Sequence, residues 1–400
     1  MLSRIKFEVT PLVNEMLDQL PVAVWASKTT TFLDPAIAGG QFVREIERRL
    51  LEAGHSKKNV ASRVFGCEEY EHQVQYALNK YKLLGNYTVT NFLEQDFNMK
   101  FDVIVGNPPF QDGGRDDEAN KLWPHFVNKA NELVNDDGYV AMITPTGWMQ
   151  PTADIGKGNS KNSVSIFNDI FKNNNLILAN VDSNLLQKNY FAGVGSTFSY
   201  FLFQKSKYSG NTNFITPTGT VSVDITTIDS LPKVTSSLSL SISKKMKGTP
   251  FTFYDQNHGL NGKESDVKSI THKYPVYHTH KDGGTYWYGE KQSVHNSSPK
   301  AIITLSGKYE AIYDNVNGFS NMCMAVVCKT VKEGKNTASV LNSKLYRFWV
   351  EMQKFSGFNP RKLILTLPAV DTTRQWTDAD LYKHFKLTKA EINYIESNVK

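Results

Sequence analysis

The chain of 400 residues is longer than one hydrophobic core usually spans, so two domains are expected. Its hydrophobic content of 40% and charged content of 21% are ordinary for a globular protein, and no apolar run reaches the ~18 residues of a membrane span. The N-terminus lacks the apolar stretch of a signal peptide, and 3 cysteines are too few for a disulfide framework. These features favour a cytoplasmic protein without a membrane partner.

The charge is unevenly distributed between the two halves of the chain. Residues 1–205 carry 20 basic and 23 acidic side chains, whereas residues 206–400 carry 25 and 16. A basic half suggests a polyanionic partner such as nucleic acid. A solvated basic surface without such a partner would account for the same numbers.

Apolar runs of strand length alternate with segments of helical periodicity in the first half of the chain. Strands are predicted at residues 31–36, 63–68, 87–95, 101–106, 139–144, 176–181 and 197–204. Helices are predicted between them at residues 41–53, 70–84, 126–133 and 166–171. This alternation predicts an α/β fold with an open, doubly wound parallel sheet, whose ligand lies at the carboxyl ends of the strands.

The alternation ends near residue 208, where a Thr- and Ser-rich stretch of short strands and turns begins. Helical periodicity returns at 339–353 and 378–398. We therefore predict a first domain over residues 1–208 and a second, basic α+β domain over residues 209–400. Within the first domain, polar loops at 111–120 and 151–163 follow the fourth and fifth strands and are expected to border the site.

The tetrapeptide Asn107-Pro108-Pro109-Phe110 follows the most apolar of the predicted strands. Two prolines remove backbone donors, so the turn offers carbonyl acceptors beside the amide oxygen of Asn107. Such acceptors can bind both hydrogens of an exocyclic amine and favour the amine as its nitrogen becomes tetrahedral. Phe110 offers a face on which a flipped base can stack.

This tetrapeptide and the motifs before it resemble the gamma class of adenine-N6 DNA methyltransferases found in restriction–modification systems. Thr10-Pro11, the loop Asp34–Gly40, Glu68 and Asp96 follow one another in the family's order. The resemblance implies a Rossmann-like sheet of seven strands, the last of them antiparallel, and the cofactor S-adenosyl-L-methionine. The cofactor-binding residues that it implies are Thr10, Pro11, Asp34, Ala36, Gly39, Glu68, Asp96 and Asn107.

The resemblance also implies individual roles at the ends of the strands. Thr10-Pro11 belongs to the motif that surrounds the methionine portion of the cofactor. Glu68, at the end of the second strand, would hold the ribose hydroxyls, although the adjacent Glu69 is an alternative. Asp96, at the end of the third strand, would contact the cofactor's adenine. A carboxylate at the position of Asp34 could simply cap a turn, or it could receive the cofactor's ammonium group directly or through water.

The implied reaction is a direct methyl transfer to N6 of an adenine that has rotated out of double-stranded DNA. The catalytic residues are then Asn107, Pro108, Pro109 and Phe110, and neither a metal nor a covalent intermediate is required. The basic second domain would recognise the DNA target, with Arg361 and Lys362 as candidate contacts. A separate restriction endonuclease is a further expected partner, and the expected location is the cytoplasm of a bacterium or of a phage-infected bacterium. The oligomeric state stays open.

One position departs from the family's pattern, and two other functional classes stay open. Ala38 stands where the family most often has glycine, and its methyl group is expected to crowd the cofactor or to hold φ below zero. Related motifs occur in enzymes that methylate RNA or a protein glutamine. A non-catalytic, DNA-binding relative of a methylase is the second alternative, and Ala38 is its only support.

Weaker patterns in the second half are assigned structural roles. Cys323 and Cys328 lack the further ligands of a zinc site. The nuclease-like series Asp314…Glu333-x-Lys335 is common by chance, and its last part, 333–335, is interpreted as a hairpin turn. His278-x-His280, which lies among aromatic residues, is interpreted as packing or phosphate-contacting rather than metal-binding.

Overall fold

The computed structural model describes residues 10–111, 121–150, 154–156, 163–191, 197–228, 230–255, 264–280, 284–354, 359 and 361–399. The chain divides into two compact units, Met1–Ser230 and Leu231–Lys400. The division lies later than the predicted boundary at 208/209. The reason is a hairpin between residues 212 and 223 that pairs with the sheet of the first unit.

The first unit is organised around a sheet of nine strands. Its strands are β1 (Phe32–Asp34), β2 (Val64–Glu68), β3 (Asn86–Val89), β4 (Phe101–Gly106), β5 (Val134–Thr144), β6 (Asn175–Asn180), β7 (Ser199–Gln204), β8 (Thr212–Thr216) and β9 (Gly219–Val223). They are ordered β3-β2-β1-β4-β5-β7-β6-β8-β9. Strands β1, β2, β3, β4 and β5 are parallel to their neighbours among these five, and β7 runs antiparallel to β5 and β6. The predicted α/β class and its antiparallel seventh strand are confirmed, and β8 and β9 extend the sheet beyond the seven strands expected.

Helices connect the parallel strands of this sheet. They are α1 (Thr10–Leu17), α2 (Val22–Ala26), α3 (Gln41–Glu52), α4 (Lys57–Ala61), α5 (Glu71–Tyr81), α6 (Trp123–Leu133) and α7 (Ser183–Tyr190). Helix α3 has the helical periodicity from which it was predicted, since its apolar residues lie buried on one face. These residues are Phe42, Val43, Ile46 and Leu50. The unit also contains 3₁₀ turns at 146–149 and 225–227 and a π-helix at 166–171. Most of the two predicted site-bordering loops lies outside the described residues.

The second unit contains two four-stranded sheets and a helical layer, as the α+β prediction required. Its strands are β10 (Phe253–Tyr254), β11 (Glu264–Ser265), β12 (Tyr274–Thr279), β13 (Thr285–Gly289), β14 (Lys300–Thr304), β15 (Ala311–Asp314), β16 (Gly318–Phe319) and β17 (Cys323–Val327). Its helices are α8 (Ser237–Lys245), α9 (Val331–Leu341), α10 (Lys344–Met352), α11 (Arg361–Ile364), α12 (Asp378–His384) and α13 (Lys389–Asn398). The sheets are ordered β10-β17-β14-β15 and β11-β13-β12-β16.

Three local predictions for this unit were wrong. One of them is the helical segment predicted at 378–398, which is interrupted between α12 and α13, where Thr388 caps the second helix. Residues 333–335 form no hairpin turn but lie inside α9, whose first turn is fixed by a capping box between Thr330 and Glu333. The single helix predicted at 339–353 is two helices, because Ser343 caps a new helix with its hydroxyl group. Among the described residues, no helix has the length and apolar character needed to cross a bilayer.

Candidate active site

The carboxyl ends of three adjacent parallel strands bring the main candidate residues to one edge of the first unit's sheet. Asp34 ends β1, Glu68 ends β2, and Asn107 directly follows β4. Gly106 allows the end of β4 to lie close to Asp34, since a Cβ atom at position 106 would be only 2.8 Å from Oδ1 of Asp34. The structure therefore gathers residues that are up to 73 positions apart in the sequence, as the strand-end argument predicted.

Asp34 is a buried carboxyl group without a counter-charge. Its side chain belongs to a residue that is 1% exposed, and Oδ1 accepts a hydrogen bond of 3.0 Å from the backbone N–H of Ala36. Burial raises the pKa of Asp34 to about 8, and the nearby negative charge of Glu68 adds to the increase. No lysine or arginine among the described residues forms an ion pair with it. The group is therefore suited to receive a cationic ligand.

Glu68 holds the loop that follows β1. Its Oε2 accepts a hydrogen bond of 2.9 Å from the N–H of Ala38, and Oε1 accepts one of 3.2 Å from the N–H of Tyr70. Glu68 is buried whereas the adjacent Glu69 is exposed, which favours Glu68 as the functional carboxylate. Each carboxylate oxygen keeps further acceptor capacity for a ligand.

The expected effect of Ala38 on the backbone was wrong. Its φ is +43°, in the left-handed region, rather than below zero. The hydrogen bond from Ala38 to Glu68 helps to hold this conformation, which a non-glycine residue adopts at some cost. Gly40 follows at φ +82° and leads into α3, so the turn is completed without glycine at position 38.

Asn107 presents an unused acceptor. Its Oδ1 is buried and has no hydrogen-bond partner within the described part of the chain. An unpartnered buried oxygen costs about 1–3 kcal/mol, so this atom is a candidate acceptor for a ligand. Pro108 is buried and Pro109 half-buried, and neither can donate a backbone hydrogen bond to that oxygen.

Phe110 is half-buried, and its ring is held by other aromatic side chains. Its ring centroid lies 5.7 Å from that of Phe198, which in turn stacks on Phe191 at 4.2 Å. The backbone oxygen of Phe110 accepts a hydrogen bond of 3.1 Å from Leu122. The ring therefore has a fixed position while part of its surface stays accessible.

The remaining predicted cofactor residues are placed less uniformly. Ala36 and Gly39 lie in the loop after β1 and are half-buried. Pro11 is exposed in the first turn of α1, and the side chain of Thr10 lies outside the described residues. The prediction that Asp96 ends the third strand was wrong. Strand β3 ends at Val89, and Asp96 is an exposed residue beyond the turn that follows.

Sequence reasoning missed a polar cluster at the same edge of the sheet. Glu15 of α1 accepts a hydrogen bond of 2.6 Å from the hydroxyl group of Tyr200, near the start of β7. Asn180, at the end of β6, approaches the same carboxylate at 3.4 Å. The cluster anchors α1 to the sheet. No local sequence pattern predicts this cluster, because Glu15 and Tyr200 are 185 residues apart.

The candidate DNA contacts in the second unit differ in their surroundings. Arg361 forms an ion pair with Asp255, whereas Lys362 is exposed. His278 stacks on Trp287 with ring centroids 3.8 Å apart, and its Nδ1 lies 2.7 Å from the hydroxyl oxygen of Ser320. This environment agrees with the packing role assigned to that histidine.

Parts of the chain resemble known proteins in sequence. Residues 45–162 match the family described as Eco57I restriction-modification methylase. An uncharacterised adenine-specific methylase of Mycoplasma pneumoniae is 44% identical over 74 residues, which cover 18% of this chain and 16% of that protein. The chain thus spans well under two thirds of that relative.

Two solved structures can be compared with the fold. The structure of a DrdV–DNA complex superposes with a TM-score of 0.50 at 10% identity, covering 92% of this chain and 54% of that one. A modification subunit of a putative type I restriction enzyme from Vibrio vulnificus YJ016 gives a TM-score of 0.39 at 18% identity, covering 53% and 47%. The similarity to DrdV supports the fold and, at such low identity, nothing finer.

The family match includes β2, β4 and the Asn107–Phe110 turn, so it covers two of the three strand ends that form the site. It confirms the resemblance to restriction–modification methylases inferred from the sequence. At residues 45–162 the chain is therefore similar to the Eco57I restriction-modification methylases.

Proposed function

We propose that this protein is an S-adenosylmethionine-dependent methyltransferase that methylates N6 of adenine in double-stranded DNA. The unpartnered, buried Oδ1 of Asn107 carries the proposal. It needs a donor that the protein does not supply within the described residues, and the two hydrogens of an adenine amine are such donors. The family match and the adenine-specific relative support the same substrate.

The residues at the strand ends fit the proposed cofactor. The uncompensated carboxyl group of Asp34 suits a ligand that carries an ammonium group, and the free acceptor positions of Glu68 suit ribose hydroxyls. Ala36 and Gly39 would line the same loop, and Thr10 and Pro11 would approach from α1. Asp96 would contact the cofactor's adenine if it turned toward the site. When bound, the cofactor supplies an activated methyl group.

The catalytic contribution of the protein is the preparation of the amine. Asn107 and the carbonyl oxygen of Pro108 would accept its two hydrogens and hold its lone pair toward the methyl group. These hydrogen bonds strengthen as the nitrogen becomes tetrahedral, so they stabilise the transition state more than the bound substrate. Phe110 would stack on the flipped base and keep it in place.

The second unit is the proposed DNA-recognition domain. Residues 231–400 contain 24 basic and 14 acidic side chains, so the unit is more basic than the predicted boundary implied. This excess of positive charge suits contact with phosphates. Arg361 and Lys362 are retained as candidate contacts, although Asp255 already neutralises part of the charge of Arg361. A separate restriction endonuclease is a further proposed partner.

Loss of the Glu68 carboxylate is expected to weaken cofactor binding. Glu68→Ala should cost ~1–3 kcal/mol, because a charge-assisted acceptor disappears and the loop at Ala38 loses its hydrogen bond. Calorimetric titration with S-adenosylmethionine measures this change. The matched control is Glu69→Ala, which removes an exposed carboxylate one residue away and should leave the affinity unchanged. Equal affinities for all three proteins would contradict the assignment of Glu68.

Loss of the Phe110 ring is expected to impair the capture of the flipped base. Phe110→Ala should cost roughly 1–3 kcal/mol of stacking energy. A base analogue that fluoresces when unstacked, placed at the target position, should therefore give a weaker signal. Phe191→Ala is the control for lost aromatic packing, since Phe191 stacks on Phe198, the same ring that Phe110 contacts. A full fluorescence signal with Phe110→Ala would rule out the stacking role.

The proposed function is tested by product analysis. The purified chain is incubated with S-adenosylmethionine in three separate reactions, which contain duplex DNA, RNA or protein. We expect N6-methyladenine in the DNA alone, and sequencing of modified bases would reveal the recognition sequence. Methylation of RNA or of a protein glutamine instead would replace the proposed substrate. Cofactor binding without any methylated product would favour a non-catalytic relative of the methylases.

A further inference from the structure

A group of lysines surrounds the junction of three helices in the second unit. They lie at the end of α8, at the end of α12 and at the start of α13. We call them the lysine patch, and its members are Lys244, Lys245, Lys247, Lys383, Lys386 and Lys389. The Nζ of Lys245 donates a hydrogen bond of 3.0 Å to the carbonyl oxygen of Lys386. This contact brings two segments, 141 residues apart in the sequence, to one surface.

The charge of the lysine patch is only partly compensated, by Asp380 near Lys383 and by Glu391. Glu391 is the one acidic residue within 244–247 and 383–391. It is buried, and it already accepts a hydrogen bond of 2.7 Å from Lys245 and one of 2.6 Å from the hydroxyl group of Ser241. The other five lysines are exposed. The patch therefore presents about five positive charges to solvent.

Folding accounts for only part of this arrangement. Lys244, Lys245 and Lys383 lie in the last turns of their helices, where positive charge complements the helix dipole. Lys389 occupies the first turn of α13, where positive charge is unfavourable. Among the described residues, Lys247, Lys386 and Lys389 have no side-chain hydrogen bond or ion pair. These three ammonium groups therefore add no contact to the fold of the described residues, which points to a role outside stability.

We infer that the lysine patch binds the phosphate backbone of duplex DNA. The inference rests on the proposed function and assigns part of the DNA contact to a surface that the sequence analysis did not select. Exposed ammonium groups neutralise phosphates and release condensed counterions. Contacts of this kind orient the protein on the duplex and do not read the sequence. Unbranched lysine side chains are suited to such contacts, since each acts as a compact charge on a flexible stem.

The test compares two triple variants of the full chain with equal changes in charge. The first, K247Q/K386Q/K389Q, alters the patch and leaves the Lys245–Glu391 pair intact. The control, K28Q/K57Q/K58Q, alters exposed lysines before β1 and β2, at the opposite edge of the sheet from the candidate active site. Binding to a mixed-sequence duplex is measured at several salt concentrations. Melting temperatures and methylation of DNA are measured in parallel.

We expect the patch variant to bind more weakly and to respond less to salt. The slope of log K against log salt should decrease by ~0.9 for each lost phosphate contact. The melting temperature should stay nearly equal, because the three side chains form no hydrogen bond or ion pair among the described residues. The control should match the unaltered protein in binding. The inference would be overturned by an unchanged slope in the patch variant or by an equal decrease in the control. In either case, methylation of DNA by the unaltered protein would still uphold the proposed function. Binding of RNA rather than DNA through the patch would also overturn the inference. If the unaltered protein neither bound nor methylated duplex DNA, both the inference and the proposed function would be refuted.

Discussion

Replacing Asn107 with alanine is expected to slow methyl transfer at least 100-fold, which corresponds to ~2.7 kcal/mol, the loss typical when one preorganised polar group is removed from a catalytic site. The buried Oδ1 of Asn107 has no partner among the described residues, so its removal breaks no hydrogen bond of this oxygen within that part of the chain. The variant should therefore fold normally and lose rate specifically.

The measurement is a single-turnover rate with saturating S-adenosylmethionine and DNA. Affinities for both ligands should be nearly unchanged, because the lost hydrogen bond strengthens only as the amine becomes tetrahedral. Asn79→Ala, an exposed position on α5, provides the matched control and should show the original rate. A variant at position 107 that methylated DNA at the rate of the unaltered protein would remove Asn107 from the catalytic residues.

Replacing Asp34 with asparagine is expected to weaken cofactor binding by ~2–5 kcal/mol, the cost of truncating one partner of a buried charge pair. Asparagine keeps an oxygen that can accept the hydrogen bond from Ala36, so the loop after β1 should persist. Calorimetric titration measures the change. Asp136→Asn, which alters an exposed carboxylate in β5, is the control and should bind as the unaltered protein does.

The pH dependence provides an independent readout of Asp34. Because the pKa of Asp34 in the free protein is raised to about 8, the carboxyl group is mostly protonated at neutral pH. A cationic ligand favours the ionised form, so binding should release a proton below pH 8, and the affinity should rise with pH until it levels off above that value. Asp34→Asn should abolish both effects. A proton balance that is identical in the two proteins would show that Asp34 does not face the cofactor's charge.

The same pKa shift affects stability in the opposite direction. The folded-state pKa of Asp34 lies above its ordinary value of 3.8, so its protonation stabilises the folded protein at low pH. This contribution diminishes as the pH rises from about 4 and is lost as it passes through about 8. Asp34→Asn removes the buried ionisation. The variant should therefore gain thermal stability relative to the unaltered protein above pH 8 while it loses cofactor affinity.

Features encoded by neighbouring residues were predictable from the sequence. The apolar run of β4 predicted a strand covered on both faces, and the tetrapeptide after it predicted the position of Asn107. The alternation of strands and helices then placed Asp34 and Glu68 at the same edge. These inferences needed only local periodicity and the rule that parallel strands end together.

Features that depend on distant contacts or on single turns were not predictable. Strand β3 was predicted too long because its apolar pattern continues to Leu93, whereas the side chain of Asn91 accepts a hydrogen bond from the N–H of that residue and forms a turn. Asp96 was misplaced as a consequence. The left-handed φ of Ala38 depends in part on Glu68, 30 residues away. The burial of Glu391 beneath the lysine patch depends on α8, which is more distant still.

The hairpin of β8 and β9 determines where the first unit can be truncated. Strand β8 pairs with Leu178, Ala179 and Asn180 of β6, so it covers what would otherwise be the open margin of the sheet. A fragment that stopped at residue 208 would leave those backbone groups unpaired beside an apolar surface, which invites association between copies of the fragment. An isolated first unit is therefore better designed to end after Ser230, where the contacts of the chain divide.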